Sequence, residues 1–253
     1  MNRRSAFQSD QDQPRLYRRQ EGDRSELATL AAGAPPPVYG ERWFPSRAGL
    51  LRAWDPVRSK LAAGILRGWE GALPAVGERW LYLGVASGTT ASHVADLVSP
   101  EGRVYGVDKS IRPFARFLEV AERFPNLLPV LGDARRPREY AGSVPLVDGL
   151  YVDVAQPDQV EIVEENVRLF LRTSGKLLVT LKTSSMGRER GAKEHLDRAM
   201  ERLKGRFELD RPVGLDPFHR RHYLIGGNPT RRAFETPEPR PTPPPGPRVE
   251  RRP

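Results

Sequence analysis

The chain has 253 residues, of which 38% are hydrophobic, so it is long enough and apolar enough to bury a core. It contains no cysteine, which excludes disulfides, thiolate metal sites and cysteine nucleophiles and favours a cytosolic over a secreted setting. Forty-one basic residues against thirty-two acidic ones give a net charge of +9, which is typical of proteins that meet phosphates.

Both ends of the chain are polar. Residues 1–27 are charged and poor in large aliphatic side chains, so we predict a disordered arm there. Residues 230–253 are crowded with proline and arginine, and we predict a disordered tail. The N-terminal arginines precede no apolar run, and nowhere do about 18 apolar residues follow one another, so we expect no export signal, no membrane span and a cytoplasmic location.

Between the ends, short runs of β-branched and aromatic residues alternate with helical patterns, which indicates βαβ units and a mostly parallel sheet. The predicted strands are Trp80–Val85, Arg103–Asp108, Leu127–Leu131, Val147–Asp153 and Lys176–Leu181, and the predicted helices are Ser92–Val98, Arg112–Arg123, Asp158–Leu171 and Arg188–Leu203.

The remaining predicted elements set the limits of this domain. Two further strand-like runs, Arg206–Val213 and His222–Ile225, are expected to pair as an antiparallel hairpin. The predicted α/β domain then covers residues 77–229. Upstream, residues 28–76 contain several aromatics and a helical stretch around Arg58–Trp69, which we interpret as a small N-terminal subdomain.

The segment LYLGVASGTTASHV places Gly84 after an apolar strand and Gly88 before a helix that begins near Thr90. A glycine loop at such a junction brings backbone N–H groups close to a ligand, as in the nucleotide sites of doubly wound sheets. The GxGxxG order of dinucleotide folds is absent, so the glycines alone leave an ordinary tight turn equally open.

Acidic residues end the next two strands. Asp108, 24 residues after Gly84, can accept both hydroxyls of a ribose, and Asp133 with the N–H of Ala134 can meet an adenine amino group. A cofactor that contains a nucleoside would contact the residues at all three strand ends. The acidic strand ends and the terminal hairpin favour S-adenosylmethionine over a dinucleotide.

Four segments carry a resemblance to a known family: LYLGVASGTTASHVADLV, GDARRP, YVDVAQPDQ and LLVTLKTSS. They resemble fibrillarin, the RNA 2′-O-methyltransferase of box C/D ribonucleoproteins, and VYGERW and AWDPVRSKLAAGIL resemble its N-terminal portion. The similarity covers about residues 38–228. It implies a Rossmann-like class I S-adenosylmethionine-dependent methyltransferase fold and, without a glycine–arginine-rich N-terminal domain, an archaeal-type protein.

Methyl transfer to a ribose hydroxyl requires the oxygen to be oriented and its proton to be removed, and lysine serves both needs better than arginine. Only six of the 41 basic residues are lysines, and two of them, Lys60 and Lys182, stand where the family pattern has catalytic lysines. The resemblance also implies Asp153 and His222 as catalytic. We expect an Asp–Lys pair to hold both groups charged, and no metal.

The resemblance implies a set of cofactor contacts: Gly84, Ala86, Gly88, Thr89, Thr90, Asp108, Lys109, Asp133, Ala134, Asp153, Val154, Ala155 and Gln156. The chain departs from the family pattern in two places. Lys109 replaces an aromatic residue, so an adenine-stacking contact is lost or taken over by the lysine stem. His219 and Arg221 replace acids in DPFHRRH, which we expect to add positive charge beside the catalytic group.

The family also implies partners: a box C/D guide RNA with an rRNA substrate (and possibly tRNA), a Nop-domain scaffold protein and a kink-turn-binding ribosomal-type protein. Two alternatives stay open. One is a methyltransferase acting on protein (glutamine) or a small molecule; the other is a fibrillarin-like scaffold subunit with weakened turnover, suggested by Lys109 and the DPFHRRH changes.

Overall fold

The computed structural model describes residues 6–22, 24–32, 37–183 and 191–236. Two sheets organise them. A five-stranded antiparallel sheet uses the N-terminal part of the chain, and an eight-stranded, mostly parallel sheet uses the rest.

The N-terminal sheet has the order β1-β2-β3-β5-β4, with every pair antiparallel. Its strands are β1 (Gln8–Ser9), β2 (Leu16–Glu21), β3 (Arg24–Leu30), β4 (Trp43–Ser46) and β5 (Gly49–Trp54). The predicted disordered arm over residues 1–27 is therefore wrong for its described part. Leu16 and Leu27 are fully buried in a core that they share with residues of α1 and the parallel sheet. The N-terminal strands therefore need few aliphatic residues of their own to be ordered.

The second sheet has the order β11-β13-β10-β9-β6-β7-β8, and β12 also pairs with β13. The parallel strands are β6 (Arg79–Leu83), β7 (Arg103–Asp108), β8 (Leu127–Leu131), β9 (Val147–Val152) and β10 (Leu171–Lys182); β11 (Phe207–Leu209), β12 (Val213–Gly214) and β13 (His222–Pro229) are antiparallel additions. The helices are α1 (Lys60–Leu66), α2 (Thr89–Val98), α3 (Ile111–Ala121), α4 (Gln159–Phe170) and α5 (Ala192–Leu203).

Both faces of the parallel sheet are covered, which explains why its strands are continuous apolar runs. Along β6, Trp80 and Tyr82 pack with α1, α2 and α3, whereas Leu81 and Leu83 pack with α4 and α5. The order reverses at β6, which lies between β7 and β9. In such sheets ligands bind beyond the strand ends at this reversal.

The predicted α/β fold with its antiparallel closure is confirmed, and several element bounds differ; β10, for example, begins at Leu171 and not at Lys176. The single predicted strand over residues 206–213 is two short strands, β11 and β12, because Asp210–Pro212 interrupts the ladder where proline has no N–H to donate. Helix α5 begins at Ala192, and the predicted start at residues 188–190 lies outside the described residues.

The predicted subdomain over residues 28–76 does not correspond to one packing unit. Its strands join β2 and β3 in the N-terminal sheet, whereas α1 packs on the parallel sheet, where a Cβ on Gly64 would lie 2.4 Å from the Leu224 side chain. At the other end, residues 231–234 of the predicted tail form a short 3-10 helix with buried Ala233. Residues 237–253 lie outside the described part of the chain.

A buried charge network joins the two sheets. Arg52 on β5 is fully buried and donates to Glu41 at 2.8 Å and to Asp96 on α2 at 2.8 Å. Thr29 on β3 donates to the same Asp96 carboxylate at 2.7 Å, and its hydroxyl lies 2.8 Å from His93. Because each charge is desolvated, the network stabilises the sheet arrangement only while all its partners are present.

Replacing Arg52 by methionine should therefore leave the buried carboxylates of Glu41 and Asp96 without their cation. We expect the free energy of unfolding to fall by about 3–5 kcal/mol. Arg42→Met is the matched control, because Arg42 pairs with Glu26 from an exposed position and its loss should cost about 0–1 kcal/mol. Urea unfolding of both variants measures the difference. Equal losses would contradict the role assigned to the buried network.

Candidate active site

The loop between β6 and α2 approaches the end of β9 closely. Gly84 has φ +83°, and a Cβ there would lie 2.5 Å from the backbone oxygen of Asp153. Gly88 has φ +85°, and its Cβ would lie 2.6 Å from the Phe117 ring. Neither position has room for a side chain, and both have a backbone conformation that glycine adopts most easily. The two glycines therefore let this loop, the glycine cradle, pack tightly against the end of β9 and against α3.

Asp108 ends β7 beside this cradle. One of its carboxylate oxygens accepts the Ala86 N–H at 2.9 Å, and the other accepts the Ser110 N–H at 2.8 Å. Ala86 itself has φ +49°. A carboxylate has about four acceptor sites, so these two bonds orient Asp108 and leave capacity for ribose hydroxyls.

Asp133 follows β8 and faces the same cleft. It accepts the Arg135 N–H at 3.0 Å and the Lys109 ammonium at 3.0 Å. Burial alone would raise the pKa of Asp133, but the Arg135 N–H and the Lys109 cation hold it below its usual value. Lys109 thus spans two strand ends as a charged group. Ala134, which follows Asp133, is buried, and its carbonyl oxygen accepts a hydrogen bond from the Asn166 side chain at 2.9 Å.

The loop after β9 forms the third wall of the cleft. Asp153, Val154, Ala155 and Gln156 all line it, together with the residues at the ends of β7 and β8. Gln156 accepts from Arg135 at 2.7 Å, and Arg135 also holds Asp158 through two bonds of 2.6 and 2.7 Å. Asp158 is the N-terminal cap position of α4, yet its side chain pairs with Arg135 and makes no capping bond.

Thr89 and Thr90 begin α2 directly after the glycine loop. Thr90 is buried, and its hydroxyl donates to the Ser59 hydroxyl at 3.0 Å. Ser59 is also buried and caps α1 by accepting the Ala62 N–H at 3.4 Å. Sequence reasoning missed Ser59. Its position directly before the first helical residue, Lys60, is the capping signal that identifies it.

Lys60 and Asp153 meet at the mouth of the cleft. The Lys60 ammonium lies 3.1 Å from the Asp153 carboxylate, with side chains 27% and 12% exposed. Burial raises the pKa of Asp153, and Lys60 and Lys182 act in the opposite direction. The first residue of α1 and the residue after β9 are thus brought together across 93 positions of the chain.

Lys182 and His222 complete the cluster. They are register partners on the antiparallel strands β10 and β13, so their side chains leave the same face of the sheet. Burial lowers the pKa of His222, and the Lys60 and Lys182 cations lower it further. His222 Nδ1 lies 2.8 Å from the Arg220 carbonyl oxygen. A carbonyl can only accept, so Nδ1 carries the proton and Nε2 the lone pair.

The two departures in DPFHRRH lie close to this cluster. His219 Nε2 donates to the Pro56 carbonyl at 2.9 Å, and its ring lies 5.9 Å from the His222 ring. Burial lowers the pKa of His219, so the neutral ring adds no positive charge at neutral pH. Arg221 is exposed, with φ +59°, and its carbonyl accepts from Thr183. The expected extra charge therefore comes from Arg221 alone.

The described residues contain no group of three or more His, Cys, Asp or Glu side chains placed to hold a metal ion. None of their helices is long and apolar enough to span a membrane.

The sheet order, the glycine cradle at the strand reversal and the acidic strand ends define a Rossmann-like methyltransferase fold. The sequence family model named Fibrillarin matches residues 8–231. The fibrillarin-like rRNA/tRNA 2′-O-methyltransferase of Aeropyrum pernix is 45% identical over 189 residues, which are 74% of this chain and 81% of that protein. The chain belongs to the fibrillarin family.

Two solved fibrillarin structures are similar to this chain. The crystal structure of Aeropyrum pernix fibrillarin with natively bound S-adenosyl-L-methionine is similar with a TM-score of 0.80 and 38% identity, covering 90% of this chain and 100% of that one. A fibrillarin/Nop5p complex is similar with a TM-score of 0.75 and 38% identity, covering 81% of this chain and 94% of that one.

The cleft fits a sulfonium nucleoside. Gly84 leaves bare backbone in its wall, its strand ends offer carboxylates for hydroxyl and amino donors, and Asp153 joins it to the Lys60, Lys182 and His222 cluster. Side chains from three separate segments are therefore assembled at one edge of the sheet. The arrangement can bind a nucleoside and activate a hydroxyl beside it.

Replacing Gly84 by alanine should weaken S-adenosylmethionine binding about tenfold or more, because the added methyl displaces the Asp153 backbone at the cleft wall. Gly77→Ala is the matched control: Gly77 has φ +81° with nothing within 4 Å of its Cβ. Both variants bear the same left-handed strain, about 1–2 kcal/mol. Titration calorimetry should separate them, and equal cofactor affinities would contradict the cradle.

Proposed function

We propose that this chain is the catalytic subunit of a box C/D ribonucleoprotein that methylates ribose 2′-hydroxyls in rRNA, and possibly tRNA, at positions set by a guide RNA. The observation that carries this proposal is the Lys60–Asp153 contact of 3.1 Å at the mouth of the nucleoside cleft. Curated relatives named as rRNA/tRNA 2′-O-methyltransferases support it.

Bound S-adenosylmethionine supplies an electrophilic methyl group that a ribose oxygen attacks in line. Gly84, Gly88 and the first residues of α2 would hold its methionine portion, Asp108 the ribose hydroxyls, and Asp133 with Ala134 the adenine. Val154, Ala155 and Gln156 close the remaining wall. The Lys109 side chain, tied to Asp133, would lie along the adenine where the family has an aromatic ring.

The hydrogen bond to Asp153 fixes the position of the Lys60 ammonium. The ammonium is therefore preorganised to donate to the ribose oxygen. Lys182 brings a second cation to the same point, which favours negative charge developing on that oxygen. Asp153 keeps the pair of cations in a partly buried site where neither would otherwise be stable.

The proton of the hydroxyl has two candidate acceptors, Lys182 and His222. The tautomer assigned above leaves the lone pair of His222 on Nε2, and a neutral ring at neutral pH is able to take a proton. Lys182 could accept it only after losing a proton of its own, because an ammonium group has no lone pair.

Partners follow from the family. A relative in complex with Nop5p supports a Nop-domain scaffold protein as the partner of this chain. A box C/D guide RNA, an rRNA substrate and a kink-turn-binding ribosomal-type protein complete the proposed particle, which we place in the cytoplasm. The net charge of +9 is compatible with electrostatic RNA contacts.

One observation favours a second candidate function, a scaffold subunit with weakened turnover. The Lys109 ammonium occupies an Asp133 oxygen that an adenine amino group would use. Titration calorimetry with S-adenosylmethionine distinguishes the two: a chain that fails to bind the cofactor is a scaffold. A methyltransferase for protein glutamine or a small molecule would instead methylate such a substrate without guide RNA.

Lys182→Ala should abolish methyl transfer to guide-matched RNA while cofactor affinity stays nearly unchanged, because Lys182 lies near Asp153 but is not among the residues that line the nucleoside cleft. Lys204→Ala is the control, since the Lys204 side chain is 74% exposed. Transfer of labelled methyl groups in the assembled particle measures the rates. A Lys182→Ala rate equal to that of the parent protein would make the assignment wrong.

The pH dependence of the chemical step should reveal His222. If neutral His222 accepts the proton, the single-turnover rate falls as the pH drops through its pKa, which lies below 6.5, and is level from there to pH 8. His222→Gln should lower the rate and flatten this acidic limb. If the parental rate instead keeps rising between pH 7 and 9, a lysine is the acceptor.

A further inference from the structure

Lys60 reaches Asp153 from the first residue of a short helix, so the start of α1 determines where its ammonium lies. The preceding loop is fixed from both sides. Asp55 accepts the Val57 N–H at 2.8 Å, and His219 donates to the Pro56 carbonyl at 2.9 Å. The last residue before the helix, Ser59, is only 1% exposed and has an extended backbone.

The Ser59 hydroxyl serves two helices at once. It accepts the Ala62 N–H of α1 and the Thr90 hydroxyl of α2, at 3.4 and 3.0 Å. An N-cap side chain ordinarily accepts the N2 or N3 backbone N–H of its own helix. Here the cap of the helix that carries Lys60 is also the hydrogen-bond partner of the helix that follows the glycine loop.

We propose that Ser59 is a positioning residue that couples the cofactor loop to Lys60 through Thr90. The inference rests on the proposed function and deepens it: ordering of the loop between Gly84 and Thr90 would be transmitted through one buried hydroxyl pair to the start of α1. Ser59 touches neither the reacting atoms nor Asp153 and acts through its neighbour Lys60.

Buried hydroxyl pairs suit this task. Thr90 is 6% exposed, so water does not readily replace its bond to Ser59, and its remaining side-chain contact is with the Tyr82 hydroxyl. The two hydroxyls belong to segments 31 positions apart, and each begins a helix. A displacement at the start of one helix should therefore displace the start of the other. A shift of about 1 Å in a catalytic group can lower the rate about 100-fold.

The test is a double-substitution cycle in the assembled particle at saturating cofactor and RNA, comparing Ser59→Ala, Thr90→Val and the double variant. Each single variant should lower the single-turnover rate about tenfold or more, and the double variant should be no slower than the slower single one. Thr90→Val keeps the α1 cap, so this variant still tests the proposal if Ser59→Ala folds poorly.

Thr230→Val is the control for loss of a hydroxyl hydrogen bond. The Thr230 hydroxyl donates to the Gly205 and Arg206 carbonyls at 2.7 and 3.0 Å, remote from the cleft, and its loss should leave the rate unchanged. The coupling is wrong if Ser59→Ala keeps the parental rate, or if the losses from the two single substitutions multiply in the double variant.

Hydrogen exchange separates this inference from the proposed function, because it needs no turnover. S-Adenosylmethionine at saturating concentration should slow exchange of the Ala62 and Ala63 amides in the parent protein and not in Thr90→Val. Equal slowing in both proteins would overturn the coupling. A parent protein that binds the cofactor and shows the slowing but transfers no methyl would overturn the proposed function alone.

Discussion

A buried carboxylate next to two amines is stable only if its charge is balanced, and this requirement fixes the geometry around Asp153. Lys60 comes from a helix start, Asp153 from the end of β9 and Lys182 from the end of β10. Each backbone element must be correctly placed for the carboxylate to be paired, since an unpaired ion in this position would be strongly destabilising. In the proposed reaction, the same ion pairing would hold two cations beside a ribose oxygen.

The N-terminal sheet contributes to this site indirectly. Arg52 and Asp96 bind it to α2, and α2 begins at the glycine loop. The chain then passes from β5 to α1, whose first residue is Lys60. The sheet therefore fixes both the helix that follows the glycine loop and the entry to the helix that carries Lys60, the proposed catalytic amine.

The elements of the parallel sheet were predictable because strands covered on both faces are continuous apolar runs, as in Trp80–Leu83. The N-terminal strands were not, because β2 has four polar residues after Leu16 and Tyr17, so its sequence lacks the alternating pattern of a strand that enters a shared core. Motif residues indicated which side chains approach the cleft. The Ser59–Thr90 bond and the Lys109–Asp133 pair depend on distances between segments that no local pattern contains.

The most direct measurement is methyl transfer to guide-matched RNA by the parent protein, Lys60→Met, Asp153→Asn and the double variant, each with verified cofactor binding. If Lys60 and Asp153 act as one unit, each single substitution removes nearly all transfer and the double variant is no worse. Transfer at the parental rate by Lys60→Met, or independent losses that multiply in the double variant, would contradict the central role of this ion pair.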